Sequence, residues 1–146
     1  MSLAVRPALM AAALALGACA RPCLFDETGR VCVEAAPDAN RPSATAVDVL
    51  AAQDGALADR LAGLIAGAWF AQREQLRRDY PATLGVAGWE IAPGQSIGSE
   101  AVRFRCGPAG IFVFASLRAP GAHRVRLRDL DRMPVRTEAE ELVVSP

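Results

Sequence analysis

The sequence predicts an α+β domain in which one main amphipathic helix packs on a small antiparallel sheet of about four strands. Two patterns carry that expectation. From Leu57 to Leu76 the apolar positions recur at helical spacing, and after Pro81 short alternating or apolar runs are separated by Gly and Pro turn residues. Length adds a bound: of 146 residues the first 18 read as a leader, which leaves material for a single modest core.

The leader comes first in the chain. Met1 to Ala18 carries one early positive charge, Arg6, then an apolar run from Ala8 to Leu16, then small residues before Cys19. That order is an export signal, and its apolar part is too short for a stable membrane-spanning helix. The final four residues, Leu16-Gly17-Ala18-Cys19, resemble the lipobox of bacterial lipoproteins, in which signal peptidase II cuts before a cysteine already carrying diacylglycerol. The resemblance implies a mature chain that begins at Cys19 and is held by two or three acyl chains, and stable anchoring does need more than one. An ordinary secretory signal cut after Ala18 or Ala20 is the other reading, and it exports the protein as well. Position 20 is alanine, not the aspartate that retains some lipoproteins in the inner membrane, so the expected address is the outer membrane with the domain on its periplasmic side.

Four cysteines in an exported chain suggest disulfides. Lipidation of Cys19 leaves Cys23, Cys32 and Cys106, an odd number. Cys23 and Cys32 bracket a stretch containing Gly29, which can supply the positive φ of a tight reversal, so the expected bond is Cys23 to Cys32 across a short hairpin. A bond from Cys106 to either one is the rival. Residues Glu34 to Thr45, with Pro37, Asn40 and Pro42, read as a loose tether, which makes residues 19–45 a lipidated lead and residues 46–146 the domain.

Thr45 to Asp48 is spaced like a capping box, with Val49 and Leu50 opening an apolar face, so a helix is expected to begin there. Leu57, Leu61, Leu64, Ile65, Ala68, Trp69 and Leu76 continue an apolar stripe, with a break plausible at Asp54-Gly55. The helix should end near Tyr80, because Pro81 lacks an amide hydrogen and disfavours helical geometry in the residue before it. Strands are expected at Leu84 to Ile91, Ala101 to Cys106, Ile111 to Leu117, His123 to Leu130 and, weakly, Glu141 to Val144. Ile111-Phe112-Val113-Phe114 is apolar on both faces and is the candidate central strand.

The chain offers little for chemistry. Gly94-Gln95-Ser96-Ile97-Gly98 spells the G-x-S-x-G nucleophile elbow, but a strand and not a helix is expected after it, and no acid lies at a usable place between Ser96 and His123. His123 stands alone. With one histidine and no second close cysteine pair, no metal site, catalytic residue or cofactor is expected. The one constellation suited to a ligand is a set of arginines, Arg103, Arg105, Arg124, Arg126 and Arg128, on predicted strands, with Arg118, Arg132 and Arg136 near the turns. Aligned on one face they would make a basic patch for phosphate or carboxylate groups; unaligned they are a solvated face. Formal charge is balanced, with 16 basic and 16 acidic side chains, and no nucleic-acid partner is expected.

These features predict a non-enzymatic lipoprotein of the outer membrane that works through protein contacts, as an accessory or assembly factor of an envelope complex; pilotins of secretion systems have that shape and size. The alternative is a binding module for an anionic envelope ligand, or an inhibitor of a periplasmic hydrolase. Val102 to Leu127, with Phe104-Arg105-Cys106 before an alternating strand, resembles the C-type lysozyme inhibitor lipoproteins over that short stretch, while the other cysteines fall elsewhere.

Overall fold

A computed structural model describes residues 26–105, 107–128 and 134–144; for residues 26–29 and 99–105 it describes the backbone. The elements run β1 (Asp26–Ala35), β2 (Thr45–Ala52), α1 (Gly55–Ala62), α2 (Ala66–Asp79), β3 (Leu84–Ile91), β4 (Ser96–Arg105), β5 (Gly110–Ala115), β6 (Arg124–Leu127), β7 (Val135–Thr137) and β8 (Leu142–Val144). The strands form two four-stranded sheets, in the orders β4-β1-β7-β8 and β3-β2-β5-β6. Every described pairing is antiparallel except β1 with β7. The α+β class therefore holds in a mostly β form, with two sheets and two helices in place of one helix on one sheet.

Two apolar cores explain the layering. Val47, Val49 and Ala51 of β2 and Ile111, Val113 and Ala115 of β5 join Val31, Val33 and Val135 between the sheets. The alternate residues Leu50, Ala52, Phe112 and Phe114 point the other way and meet Leu57, Leu61, Ala66, Trp69 and Leu76 of the helices. Strands β2 and β5 are thus covered on both faces, the condition under which a strand reads as a near-continuous apolar run. This is why Thr45 to Ala52 is a strand and not the start of a helix. Its β-branched Val47 and Val49 serve the sandwich, and the acid taken for a capping residue faces the helices from the sheet. The doubly apolar β5 is central, as its sequence implied.

The helix stripe is real but divided. Asp54 caps α1, its Oδ1 accepting from Leu57 N at 2.8 Å. The chain then leaves helical geometry across 63–65 and re-enters it at Ala66, whose N–H donates to Ala122 O in the β5–β6 loop at 2.8 Å. Helix α2 ends at Asp79 with Tyr80 as its C-cap, one residue before Pro81.

The N-terminal expectations change most. No reversal occurs at Gly29, which pairs with Val102 in the middle of the β1–β4 ladder. The hairpin expected to close a Cys23–Cys32 bond is therefore not formed within β1. Cys32 is a free, half-buried thiol; Cys19, Cys23 and Cys106 lie outside the described residues. Residues 36–44 are no loose tether either. Ala39 and Asn40 are buried, and Ala36 N donates to Thr137 O at 2.9 Å. The Asn40 amide donates to Ala44 O at 3.1 Å and to Ser116 O at 3.4 Å, and its Oδ1 accepts from Arg118 N at 2.8 Å. Alanine and proline content suggested slackness; one buried asparagine and its backbone partners impose order.

Candidate interaction surfaces

The sandwich has two ends. At one, Asp26 pairs with Arg105, and the connection from β4 leads to Gly110, which pairs with Ala52; this is where the lead from Cys19 enters. At the other, the loop 36–44, the β3–β4 hairpin and the β5–β6 loop converge, shown by Gly94 N donating to Ala35 O at 3.0 Å and Ser116 N to Ala46 O at 2.8 Å. We call these the anchor end and the far end.

The far end carries Ile65, which is 52 % exposed and the one large hydrophobic so exposed among the described residues. It sits on the bend between α1 and α2. That bend is held rigidly by the Ala66–Ala122 bond and by Arg124, whose Nη1 donates to Leu64 O at 2.5 Å. Exposed Pro120, Gly121 and Ala122 lie in the bonded loop, and no charged residue occurs from Leu61 to Ala71 or from Ala119 to His123. An apolar side chain displayed on a fixed backbone suits a protein contact.

Between α2 and β3 runs a cleft of about 470 Å³ lined by Asp48, Arg73, Arg77, Gly88 and Glu90, among others. At its base is Asp48, 2 % exposed. Its Oδ2 accepts from Trp69 Nε1 at 2.9 Å and lies 3.4 Å from Arg73 Nη1. Trp69 also stacks on Phe114 with ring centroids 5.7 Å apart. The carboxylate thus fixes the helix on the sheet by a buried, charge-assisted bond. Gly88 makes room for it, since a Cβ there would stand 2.2 Å from Asp48 Oδ1. The sequence argument found Trp69 as a buried residue and missed Asp48 as its partner. The available signal was a lone acid at an alternating position in Thr45–Ala52, a segment buried along nearly its whole length.

The candidate arginines are divided between the two sheets. Arg103 and Arg105 belong to β4, and Arg124 and Arg126 to β6, with Arg128 just beyond it; the two strands lie in different sheets. Arg124 is spent on Leu64. Arg126 and Arg128 remain together, lining a pocket of about 420 Å³ with residues 108–111 and Leu127. Arg136 pairs with Glu138 at 3.4 Å, and Arg132 lies outside the described residues.

Among the described residues nothing assembles around the catalytic candidates. Ser96 opens β4 opposite Glu34, after a hairpin turn in which Gly94 has φ +76°. It is not on a strand-to-helix elbow. The His123 ring lies 2.7 Å from Ala119 O through Nε2, closing its own loop. Among the described residues no group of histidine, cysteine and acidic side chains is arranged to hold a metal ion, and no helix is long and apolar enough to cross a membrane.

No family model matches this chain, and no curated protein resembles it significantly. Solved structures do. The chain is similar to Lip of Serratia marcescens, a membrane-bound component of the type VI secretion system, with TM-score 0.62 and 12 % identity over 82 % of this chain and 97 % of that one. It is similar to the type VI secretion lipoprotein TssJ1 of Pseudomonas aeruginosa, with TM-score 0.58 and 18 % identity over 84 % and 98 %. A chain from the structure of the TssM C-terminal domain from EAEC matches with TM-score 0.64 and 13 % identity over 84 % and 99 %. The likeness is one of fold. It spans those chains almost entirely, and they include a membrane-bound component and a lipoprotein.

Proposed function

We propose that this chain is a lipid-anchored structural component of a type VI secretion membrane complex, acting by protein contact and not by catalysis. The observation that carries the proposal is the likeness of fold to the type VI secretion proteins Lip and TssJ1 over nearly their whole length. The leader Leu16-Gly17-Ala18-Cys19 supports it independently. In this reading Cys19 carries the acyl chains in the outer membrane and the domain faces the periplasm. The far end, led by Ile65, meets another protein component of the complex, since the short lead ties the opposite end to the bilayer.

The test is fractionation followed by cross-linking and affinity capture from envelopes of cells with a working system. The parent chain should fractionate with the outer membrane and retain a component of the membrane complex. Cys19→Ser should lose lipid label and membrane association. Ile65→Asp should stay in the membrane and lose the partner, because a charge replaces the exposed apolar contact. Lipid labelling that survives Cys19→Ser would overturn the anchor; a parent chain that captures no component of such a complex would overturn the function.

A further inference from the structure

The pocket at the anchor end is built for an anion. Arg126 is held in place: its Nη2 donates to Ala109 O at 3.0 Å, and its guanidinium lies 5.5 Å from the centre of the Phe112 ring. That bond uses one of five N–H donors, so a pre-oriented fork remains. Arg128 is exposed two residues further along the same edge. No carboxylate lines the pocket among the described residues, in contrast to the cleft beside α2, where Asp48 and Glu90 accompany Arg73 and Arg77.

Its position names the source of the anion. Residues 108–110 belong to the connection that begins beyond Arg105, the partner of Asp26, so the pocket lies at the same end of the sandwich as Asp26, on the helix side of the second sheet. Seven residue steps separate Cys19 from Asp26, a reach of about 25 Å at most. Because residues 36–44 are folded into the domain, they add no length. If Cys19 is acylated, Arg126 and Arg128 lie at the end of the domain that the lead holds toward the headgroup layer. We infer that this pocket takes the phosphate of an anionic lipid headgroup and so orients the anchored domain on its bilayer, leaving Ile65 directed away from it. The lipid source rests on the anchor proposed above; the affinity for phosphate rests on the pocket.

The two are tested apart. A chain that begins at residue 19 and carries Cys19→Ser lacks the acyl site and keeps every described residue of the core. It is co-sedimented with vesicles of phosphatidylcholine alone or with added phosphatidylglycerol, at constant ionic strength. Binding to the anionic vesicles is expected, and Arg126→Gln with Arg128→Gln should weaken it roughly thirtyfold, about fivefold for each arginine at an anionic surface and slightly more together. Arg41→Gln with Arg118→Gln removes equal charge from exposed side chains at the far end and should leave binding unchanged. Equal loss in both pairs would reduce the effect to general attraction and overturn the pocket, as would absence of binding by the parent. Inorganic phosphate at the lipid-phosphate concentration should not displace the protein; displacement would make the ligand free phosphate and overturn the lipid source. Should the glutamine pair fail to fold by circular dichroism, Arg126→Lys with Arg128→Lys keeps charge and removes the fork. Weakened binding by that pair supports the pocket, and binding equal to the parent overturns it. Whether Cys19 is lipidated is read independently by lipid labelling in cells.

Discussion

Replacing Trp69 by phenylalanine isolates the bond that seats α2 on the sheet. The substitution keeps an aromatic ring over Phe114, where the centroids now lie 5.7 Å apart, and removes the Nε1–H that Asp48 accepts at 2.9 Å. Asp48 is 2 % exposed, so it has little access to bulk water, and Arg73, at 3.4 Å, becomes its remaining charged neighbour. An orphaned buried acceptor costs about 1–3 kcal/mol, more when charged, and the lost indole volume adds about 1 kcal/mol. A total of about 2–4 kcal/mol follows. Trp69→Ala would add a cavity and the loss of the stack, in the range of about 3–5 kcal/mol for such truncations before the carboxylate is counted, enough to unfold a marginal domain. Urea denaturation followed by far-ultraviolet circular dichroism measures the difference. With a slope of about 2 kcal/mol per molar, Trp69→Phe should lower the midpoint by 1 M or more. Pairing it with Asp48→Asn in a double-mutant cycle should show coupling of about 1–3 kcal/mol. A Trp69→Phe midpoint within about 0.2 M of the parent, or additive effects in the cycle, would refute the claim that this bond holds the helix layer in place.

Three further outcomes are expected. Gly88→Ala should destabilise by about 1–3 kcal/mol, because the added Cβ meets Asp48 Oδ1 at 2.2 Å; a thermal melt matching the parent would show that the strand shifts freely. Asn40→Ala should cost about 2–3 kcal/mol by stranding its three backbone partners, and residues 36–44 should resist limited proteolysis in the parent but not in the variant. Rapid cleavage of that segment in the parent would restore the tether. Cys32 should react with maleimide once the domain is unfolded without reductant, and peptide mapping should find no Cys23–Cys32 bond; recovery of that disulfide would contradict the β1 register.

Local signals in the chain determined what short-range physics controls. The leader and Cys19 belong to the proposed function and rest on charge, apolar length and small residues falling in one order. Trp69 was legible as a buried residue because helical spacing places it with Leu61 and Leu76. β3 has the bounds expected, Leu84 to Ile91, because glycine and proline punctuate it. The tertiary structure decided whatever depends on partners distant in sequence. A strand buried on both faces has no alternation to separate it from a helix, so β2 became identifiable only between β3 and β5. The β1 segment lacks a strong pattern of its own and owes its extension to β4 and β7. Arg103 and Arg126 alternate on their strands in the same way, yet they belong to different sheets, because alternation specifies a face and not the sheet that the face belongs to. Asp48 and Trp69 are 21 residues apart and meet because a sheet and a helix bury them together. Burial of a charge is a property of the assembled layers, since only they remove the water that would otherwise solvate it.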